Sequence, residues 1–251
     1  MKKLYLIGNM KMNMSYAELE PYFEKLTQIA STSTNVVGVC VPSVYLDLAK
    51  YALEGSKVLY GAENMHYEDK GAFTGEISAD MIMDFNSDLV ILGHSERRQY
   101  FNETNKTCNL KMKALEAHNM NVIYCVGESL EDYESGKTKE VIKTQVLEGI
   151  EGLGEEYISN LTIAYEPVWS IGTGKNASKE IASEICAYII EVISEKYGEE
   201  VASGIYVLYG GSVKPNNIKE YLDDEHIDGA LIGGASLNAE SFIEMITNVE
   251  E

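Results

Sequence analysis

The sequence predicts a single (β/α)8 barrel, an α/β fold of eight parallel strands ringed by helices, over residues 1–251. Short apolar runs rich in β-branched residues recur along the whole chain, and segments with helical spacing of apolar residues lie between most of them. Alternation of strands and helices is typical of a parallel sheet. Eight such units in 251 residues match the size of one barrel.

The predicted strands lack clean period-two alternation, as expected of strands that are buried on both faces. In chain order they are Leu4–Gly8, Val36–Val41, Val58–Ala62, Leu89–Gly93, Val122–Val126, Leu161–Tyr165, Ile205–Gly210 and Ala230–Gly233. Two of the segments between them carry an apolar stripe at helical spacing. One stripe is Ile142, Val146, Ile150 and Leu153, and the other is Ile181, Ile185, Tyr188, Ile189 and Val192.

An open, doubly wound sheet is the alternative fold. A sheet of that kind that binds a dinucleotide has a G-x-G-x-x-G turn after its first strand, whereas this chain has Gly8-Asn9-Met10-Lys11 there. The barrel is therefore favoured. No linker, low-complexity tract or charge block divides the sequence, so we expect one domain. We expect the acidic end, Val249-Glu250-Glu251, to be a frayed, solvated terminus.

The net charge of −20 makes nucleic acid and anionic membranes unfavourable partners. An anionic substrate therefore needs local positive potential. The cysteines are widely spaced and form no CxxC pair, which indicates thiols in a reducing cytoplasm; they are Cys40, Cys108, Cys125 and Cys186. The first apolar run, Leu4–Ile7, is too short for a signal peptide, and no apolar stretch approaches the roughly 18 residues of a membrane span.

Polar residues and glycines follow several predicted strands. Asn9 and Lys11 follow the first strand, His94, Ser95 and Glu96 the fourth, Glu166 the sixth, Gly210-Gly211-Ser212 the seventh, and Gly233-Gly234 the eighth. Because the carboxyl ends of the strands of a barrel share one face, these residues converge on one rim. The glycine turns after the last two strands let backbone N–H groups approach an anion, so they predict a phosphate site.

The segment after the sixth strand combines a carboxylate, a stiff hinge and a flexible tip. Glu166 ends the strand, Pro167 and Trp169 follow it, and Gly172-Thr173-Gly174 lies at the tip. Such a segment is suited to closing over a small anionic ligand. With His94 and Lys11, it favours proton abstraction beside a carbonyl, because a lid would shield the enediolate that forms.

Ordinary structural roles remain open for these residues. Lys11 could be a surface lysine, His94 a hydrogen-bonded structural histidine, and Glu166 a structural partner of a lysine. No metal is expected, because the histidines have no ligand spacing; they are His66, His94, His118 and His226. None of the candidate residues requires a redox or electron-sink cofactor.

In several motifs the chain resembles the triosephosphate isomerase family along its full length. They are NMKMN (9–13), GAFTGE (71–76), GHSERR (93–98), CVGE (125–128), AYEPVWSIGTGK (164–175), YGGSV (209–213) and DGALIGGASL (228–237). The resemblance implies a TIM barrel that interconverts dihydroxyacetone phosphate and D-glyceraldehyde 3-phosphate in glycolysis and gluconeogenesis. It also implies a cytoplasmic homodimer that needs no cofactor.

By resemblance, Glu166 is the catalytic base, His94 is a neutral imidazole that polarises the carbonyl, and Lys11 supplies the cation. Glu96 orients Lys11, and Asn9 positions the substrate. Backbone N–H groups hold the phosphate; they belong to Gly172, Ser212, Gly233 and Gly234. The lid hinges are Pro167, Val168 and Trp169 on the leading side and Lys175, Asn176 and Ala177 on the trailing side. The loop containing Thr74 resembles one that inserts into the neighbouring subunit.

Four positions depart from the family pattern. Met10 replaces a tryptophan, Cys186 and Ile190 replace a histidine and an arginine on one helix, and Glu63 replaces a glutamine near the dimer interface. A Schiff-base aldolase is the competing enzyme, but it needs a lysine within a late strand, and the sixth and seventh predicted strands contain none. A non-catalytic phosphate-binding barrel is the other alternative, and it would have no need of Glu166.

Overall fold

The computed structural model describes residues 3–171 and 176–250, and it shows a closed barrel of eight parallel strands. Each strand pairs with its neighbours in chain order, and β1 pairs with β8 to close the barrel. The strands are β1 (Tyr5–Asn9), β2 (Val36–Val41), β3 (Leu59–Ala62), β4 (Leu89–Leu92), β5 (Asn121–Val126), β6 (Thr162–Tyr165), β7 (Tyr206–Tyr209) and β8 (Gly229–Ile232). The predicted fold class is confirmed.

Helices surround the barrel. They are α1 (Tyr16–Thr32), α2 (Leu46–Ala52), α3 (Ala79–Met83), α4 (Ser95–Tyr100), α5 (Asn105–Ala117), α6 (Leu130–Glu134), α7 (Thr138–Gly149), α8 (Glu155–Ile158), α9 (Lys179–Tyr197), α10 (Glu199–Ala202), α11 (Ile218–Leu222) and α12 (Ala239–Asn248). Short 3-10 turns cover Ser43–Tyr45, Val168–Ser170 and Gly234–Leu237. Within the described ranges, no helix combines the length and apolar character needed to cross a membrane.

Alternate residues of each strand pack into two different cores. In β6, Ala164 lies in the inner cluster that fills the barrel, whereas Ile163 and Tyr165 belong to the outer cluster between the barrel and the helices. In β1, Ile7 points inward in the same way. Since side chains alternate between faces with a period of two, this register turns Asn9 and Glu166 towards the barrel axis at the carboxyl ends of their strands.

The predicted runs locate every strand to within one residue at either end. The fourth strand ends at Leu92 rather than Gly93, because Gly93 has φ +73° and turns the chain out of the sheet. Both predicted helical stripes face the core. Ile142 and Val146 are buried on α7, and Ile185, Ile189 and Val192 are buried on α9.

The expectation of a frayed acidic terminus is wrong for Glu250. Its carboxylate accepts hydrogen bonds from the Ser33 hydroxyl, from the Thr34 hydroxyl at 2.7 Å and from the Asn35 amide at 3.2 Å. Burial opposes ionisation, but these donors lower the pKa of Glu250. Val249 packs against the outer core. The carboxylate thus ties the end of the chain to the loop between α1 and β2.

Replacing Glu250 by alanine removes several charge-assisted hydrogen bonds at once. We expect Glu250→Ala to lower the free energy of unfolding by about 1–2 kcal/mol at pH 7, as measured by urea denaturation. Glu244→Ala is the control, because Glu244 is exposed on α12, the helix that precedes Glu250. Equal losses for the two variants would show that the contacts of Glu250 add nothing to stability.

Candidate active site

A cleft of about 440 Å³ opens at the carboxyl ends of the strands. Apart from Gly172, all the residues predicted for catalysis and substrate binding line it: Asn9, Lys11, His94, Glu96, Glu166, Ser212, Gly233 and Gly234. Gly172 and Lys175 lie outside the described residues. The structure therefore brings together residues that are separated by more than 200 positions in the chain.

Glu166 follows β6 and is only 2% exposed. Both of its carboxylate oxygens have partners: Oε1 lies 2.9 Å from His94 Nε2, and Oε2 accepts the Ser95 backbone N–H at 2.8 Å. Burial opposes ionisation, but the charge and hydrogen bonds of these partners lower the pKa of Glu166. A buried, ionised carboxylate beside a histidine is equipped to act as a base.

His94 caps the N-terminus of α4. Its Nδ1 accepts the backbone N–H of Glu96 at 3.2 Å, so Nε2 carries the ring proton and donates it to Glu166. Burial lowers the pKa of His94, but the charge and the hydrogen bond of Glu166, with a smaller contribution from the charge of Glu96, together raise it above its ordinary value. The N-terminus of α4 also disfavours a positive charge on His94, and this effect is overcome as well. The neutral tautomer is held by the contact at Nδ1, because a protonated Nδ1 could not accept that hydrogen bond.

Lys11 projects into the cleft from a strained backbone. Its φ of +52° lies in the left-handed region, and its N–H donates to Asn9 Oδ1 at 3.1 Å. Its Nζ lies 2.7 Å from Oε1 of Glu96, the residue predicted to orient it. A Cβ on Gly233 would lie 3.2 Å from Lys11 Cε, so glycine at this position leaves room for the lysine chain.

The turns after β7 and β8 bring backbone groups to the wall of the cleft. Gly233 and Gly234 open the 3-10 turn that follows β8, and Ser212 lies after β7. The Ser212 hydroxyl donates to the carbonyl of Ser170 at 3.2 Å. Glycines and backbone N–H groups in a cleft that also contains a lysine are suited to a phosphate.

The leading hinge is fastened to the loop that follows β5. The Val168 N–H donates to the carbonyl of Glu128 at 3.2 Å, and Trp169 Nε1 donates to Glu128 Oε1 at 2.8 Å. Tyr165 donates to the same carboxylate oxygen at 3.1 Å. Burial raises the pKa of Glu128, although these donors oppose the shift. Sequence reasoning gave no role to Glu128; its place after a strand, in the motif CVGE, is the signal that could have found it.

The trailing hinge is described from Asn176 onwards. Asn176 is exposed and Ala177 is buried. The carbonyl of Ala177 accepts the Tyr221 hydroxyl at 2.6 Å, which ties this side to α11. The described ends of the predicted lid are thus attached to different parts of the barrel wall.

The positions that depart from the family pattern lie in packed surroundings. Met10 and Cys186 are fully buried in the outer core, and Ile190 packs against it. Glu63 is largely buried behind Lys11, and its Oε1 has no hydrogen-bond partner among the described residues. Burial raises the pKa of Glu63 to about 8. The Lys11 side chain and backbone lower it, and the charge of Glu96 adds to the rise.

Away from the cleft, Asp69, Asp80 and His118 lie together, an arrangement that the sequence did not predict. Asp69 Oδ1 lies 2.9 Å from His118 Nε2, and Asp80 Oδ1 lies 3.4 Å from Nδ1. The two carboxylates therefore face opposite nitrogens of one ring. This geometry is that of an imidazole bridging two carboxylates, rather than of three ligands directed at one ion.

Comparison with known proteins gives one consistent result. A model of the triosephosphate isomerase family matches residues 4–249. The chain is 48% identical over 246 residues to the triosephosphate isomerase of Clostridium perfringens, covering 98% of this chain and 99% of that protein. It is 48% identical over 247 residues to that of Carboxydothermus hydrogenoformans, covering 98% of each. The crystal structure of triosephosphate isomerase from Bartonella henselae superimposes with a TM-score of 0.90 at 34% identity, covering 99% of this chain and 100% of that one.

Glu63 should weaken the folded protein as the pH rises. Below the ordinary pKa of 4.5, both the folded and the unfolded states are protonated at this position. Between pH 4.5 and the folded pKa of about 8, Glu63 ionises in the unfolded chain but stays protonated in the folded protein, so the free energy of unfolding falls as the pH rises. Above the folded pKa, both states are ionised and the free energy of unfolding no longer changes with pH. We expect Glu63→Gln to raise the free energy of unfolding by about 1–3 kcal/mol at pH 7–8 and to change it little at pH 4.

Unfolding midpoints of both proteins across this pH range test the prediction. Glu20→Gln is the control, because Glu20 is exposed on α1. Identical midpoints for the parent and Glu63→Gln at pH 8 would mean that ionised Glu63 carries no penalty in the folded protein.

Proposed function

The chain belongs to the triosephosphate isomerase family, and from that premise we propose that its cleft interconverts dihydroxyacetone phosphate and D-glyceraldehyde 3-phosphate through an enediolate, with Glu166 as the base. Isomerase activity in glycolysis follows from the family. The observation that carries the assignment is the buried carboxylate of Glu166, 2.9 Å from His94 Nε2 in a cleft that also contains Lys11.

The first step needs a rearrangement of Glu166. Both of its oxygens are engaged by His94 and Ser95, so the carboxylate leaves these partners to reach a substrate carbon. The same movement frees the Nε2–H of His94, which then donates to the substrate carbonyl. Glu166 removes a proton from one carbon and returns it to the neighbouring carbon, while the proton of the substrate hydroxyl passes to the former carbonyl oxygen by way of His94 Nε2, which donates its proton to one oxygen and takes one back from the other. Donation from His94 stabilises the negative charge that develops on oxygen between these transfers.

Lys11 supplies the positive potential that a substrate dianion needs in a chain of net charge −20. Glu96 holds Lys11 by the 2.7 Å contact, and Asn9 fixes the backbone from which Lys11 projects. The N–H groups of Ser212, Gly233 and Gly234 bind the phosphate, together with that of Gly172 from the lid. Proton transfer of this kind needs neither a metal nor an electron-sink cofactor.

A Schiff-base aldolase is disfavoured by the residues of β6 and β7. These strands, Thr162–Tyr165 and Tyr206–Tyr209, contain no lysine that could form an imine with the substrate. A non-catalytic phosphate-binding barrel gives no reason to bury an ionised Glu166 beside a histidine, because that arrangement costs desolvation. Family membership favours the isomerase over both.

The second part of the proposal is that the protein is a homodimer. Each chain acts as a single catalytic domain, and the enzyme works in the cytoplasm, where glycolysis operates. Thr74 lies on an exposed loop. Apolar side chains are exposed as well: Met12 by 95%, Val44 by 80% and Phe101 by 64%. Met12 and Phe101 line a depression of about 260 Å³ next to Lys11 and His94. These apolar side chains are exposed in the single chain because a second copy covers them in the dimer. The loop that carries Thr74 is the element that inserts into the neighbouring subunit.

Glu166→Asp shortens the base by one methylene. We expect kcat to fall on the order of a hundredfold or more, with a far smaller change in KM, because proton transfer needs near-contact geometry. A coupled assay with D-glyceraldehyde 3-phosphate measures both constants. Glu244→Asp, the same shortening at an exposed position, should leave them unchanged. Near-normal turnover of Glu166→Asp would place the base elsewhere.

Thr74→Asp places a charge on the loop proposed to enter the neighbouring subunit. We expect it to shift the protein towards monomers in sedimentation experiments and to reduce kcat sharply, since a second copy would no longer cover the depression next to Lys11 and His94. Thr247→Asp, at an exposed position of α12, is the control. A Thr74→Asp monomer with full activity contradicts the proposed role of the dimer.

A further inference from the structure

Tyr133 stacks on the tryptophan of the leading hinge. The centroids of the Tyr133 and Trp169 rings are 4.2 Å apart, and their planes make an angle of 24°. Tyr133 lies on α6, which begins with a capping box in which Ser129 and Asp132 satisfy each other's backbone N–H groups. The Tyr133 ring therefore projects from a capped helix within the loop that follows β5.

Trp169 is held at its edge and at its face by different residues. Its Nε1–H donates to Glu128, which is fully buried and also accepts from Tyr165. That hydrogen bond fixes the edge of the indole, whereas Tyr133 covers its face. The half-buried Tyr133 is not part of the substrate cleft, so a change there leaves the residues that contact substrate in place.

The state in which Trp169 is stacked is the resting state. Glu166 has both oxygens engaged by His94 and Ser95, so it is not placed to take a proton from substrate. Pro167 and Val168 alone separate Glu166 from Trp169. A movement that releases the Glu166 carboxylate therefore also displaces the backbone up to Trp169, the next residue whose side chain is held in place.

We propose that Tyr133 is a positioning residue that holds the leading hinge in the resting state through its stack on Trp169. The proposal rests on the proposed function, in which the segment after Glu166 closes over the substrate phosphate. Closure then breaks the stack, and the strength of the stack sets part of the equilibrium between resting and closed enzyme. Tyr133 acts only through Trp169 and does not touch the substrate.

The direction of the effect follows from linkage. A ligand that binds only the closed state has an apparent Kd that is inversely proportional to the fraction of enzyme that is closed. Aromatic pairs of this kind contribute enough to change a two-state equilibrium about 2- to 12-fold. Removing the ring of Tyr133 should therefore tighten the binding of a closed-state ligand by that factor, the opposite of what general damage to the hinge would do.

The experiment uses the single tryptophan of the chain as a reporter. The emission of Trp169 is titrated with 2-phosphoglycolate, which carries a phosphate and a planar carboxylate, in the parent enzyme, Tyr133→Ala, Tyr133→Phe and Tyr51→Ala. Tyr133→Phe keeps the stacked ring. Tyr51→Ala removes an exposed tyrosine from α2 and controls for the loss of a ring elsewhere. Steady-state kcat and KM are measured on the same proteins.

For Tyr133→Ala we expect a Kd and a KM lower by about 2- to 12-fold and a kcat that does not rise. The ligand-free emission should shift to longer wavelength, because the indole gains solvent. The emission at saturation should coincide with that of the parent, because the stack is broken in both. Tyr133→Phe and Tyr51→Ala should behave like the parent.

Other outcomes overturn the inference. An unchanged or weaker Kd for Tyr133→Ala, or different emission at saturation, would mean that the stack persists in both states and is merely structural. The parent enzyme could also isomerise triose phosphates while its Trp169 emission stays unchanged on addition of 2-phosphoglycolate. The hinge would then not move on binding, and Tyr133 could not act by holding it in the resting state. A parent without isomerase activity refutes the proposed function itself, which is a separate result.

Discussion

The site depends on holding an ionised carboxylate almost out of water. Ala164 points into the barrel, so the period-two register of β6 turns Glu166 inward as well, where it is 2% exposed. A charge in that position needs partners, and His94 and the N–H of Ser95 supply them. Its neighbours have to leave room for it: a Cβ on Gly210 would lie 2.9 Å from Glu166 Cγ. The strand register thus decides which residue types can stand at the ends of two other strands, β4 and β7.

The second constraint is the sign of the surface charge. A chain of net charge −20 repels a phosphate dianion unless cations and N–H groups are concentrated at the cleft. Lys11 meets this need, but Glu96 lies against it and offsets part of its charge. In the proposed site, the remaining attraction comes from backbone N–H groups at the glycine turns after β7 and β8, whose dipoles are fixed by the fold. The positions of these turns therefore matter as much as the lysine.

Much of the fold and of the cleft could be predicted because both depend on local patterns. Apolar runs located the strands, and in a parallel barrel the residues after strands must meet, so Lys11, His94 and Glu166 were found together. Contacts between distant segments carry no such signal. Glu250 reaches residues more than 200 positions away, and the stack of Tyr133 on Trp169 depends on how one short helix is aimed. The raised pKa of His94 was missed because it follows from the orientation of Glu166, which no spacing encodes.

The two described ends of the lid are anchored by contacts that closure affects differently. Tyr221 holds Ala177 through a backbone carbonyl on the trailing side, where the chain enters α9, so this contact can persist while residues before it move. On the leading side, Ser212 donates to the carbonyl of Ser170, yet Ser212 also belongs to the proposed phosphate site. In the proposed site, a phosphate bound at the Ser212 N–H also offers acceptor oxygens to the hydroxyl of the same residue, so it competes with the carbonyl of Ser170 for that hydroxyl and removes one contact of the resting hinge. Substrate binding and release of the hinge are then coupled through a single hydroxyl group, with no signal needed from the rest of the barrel.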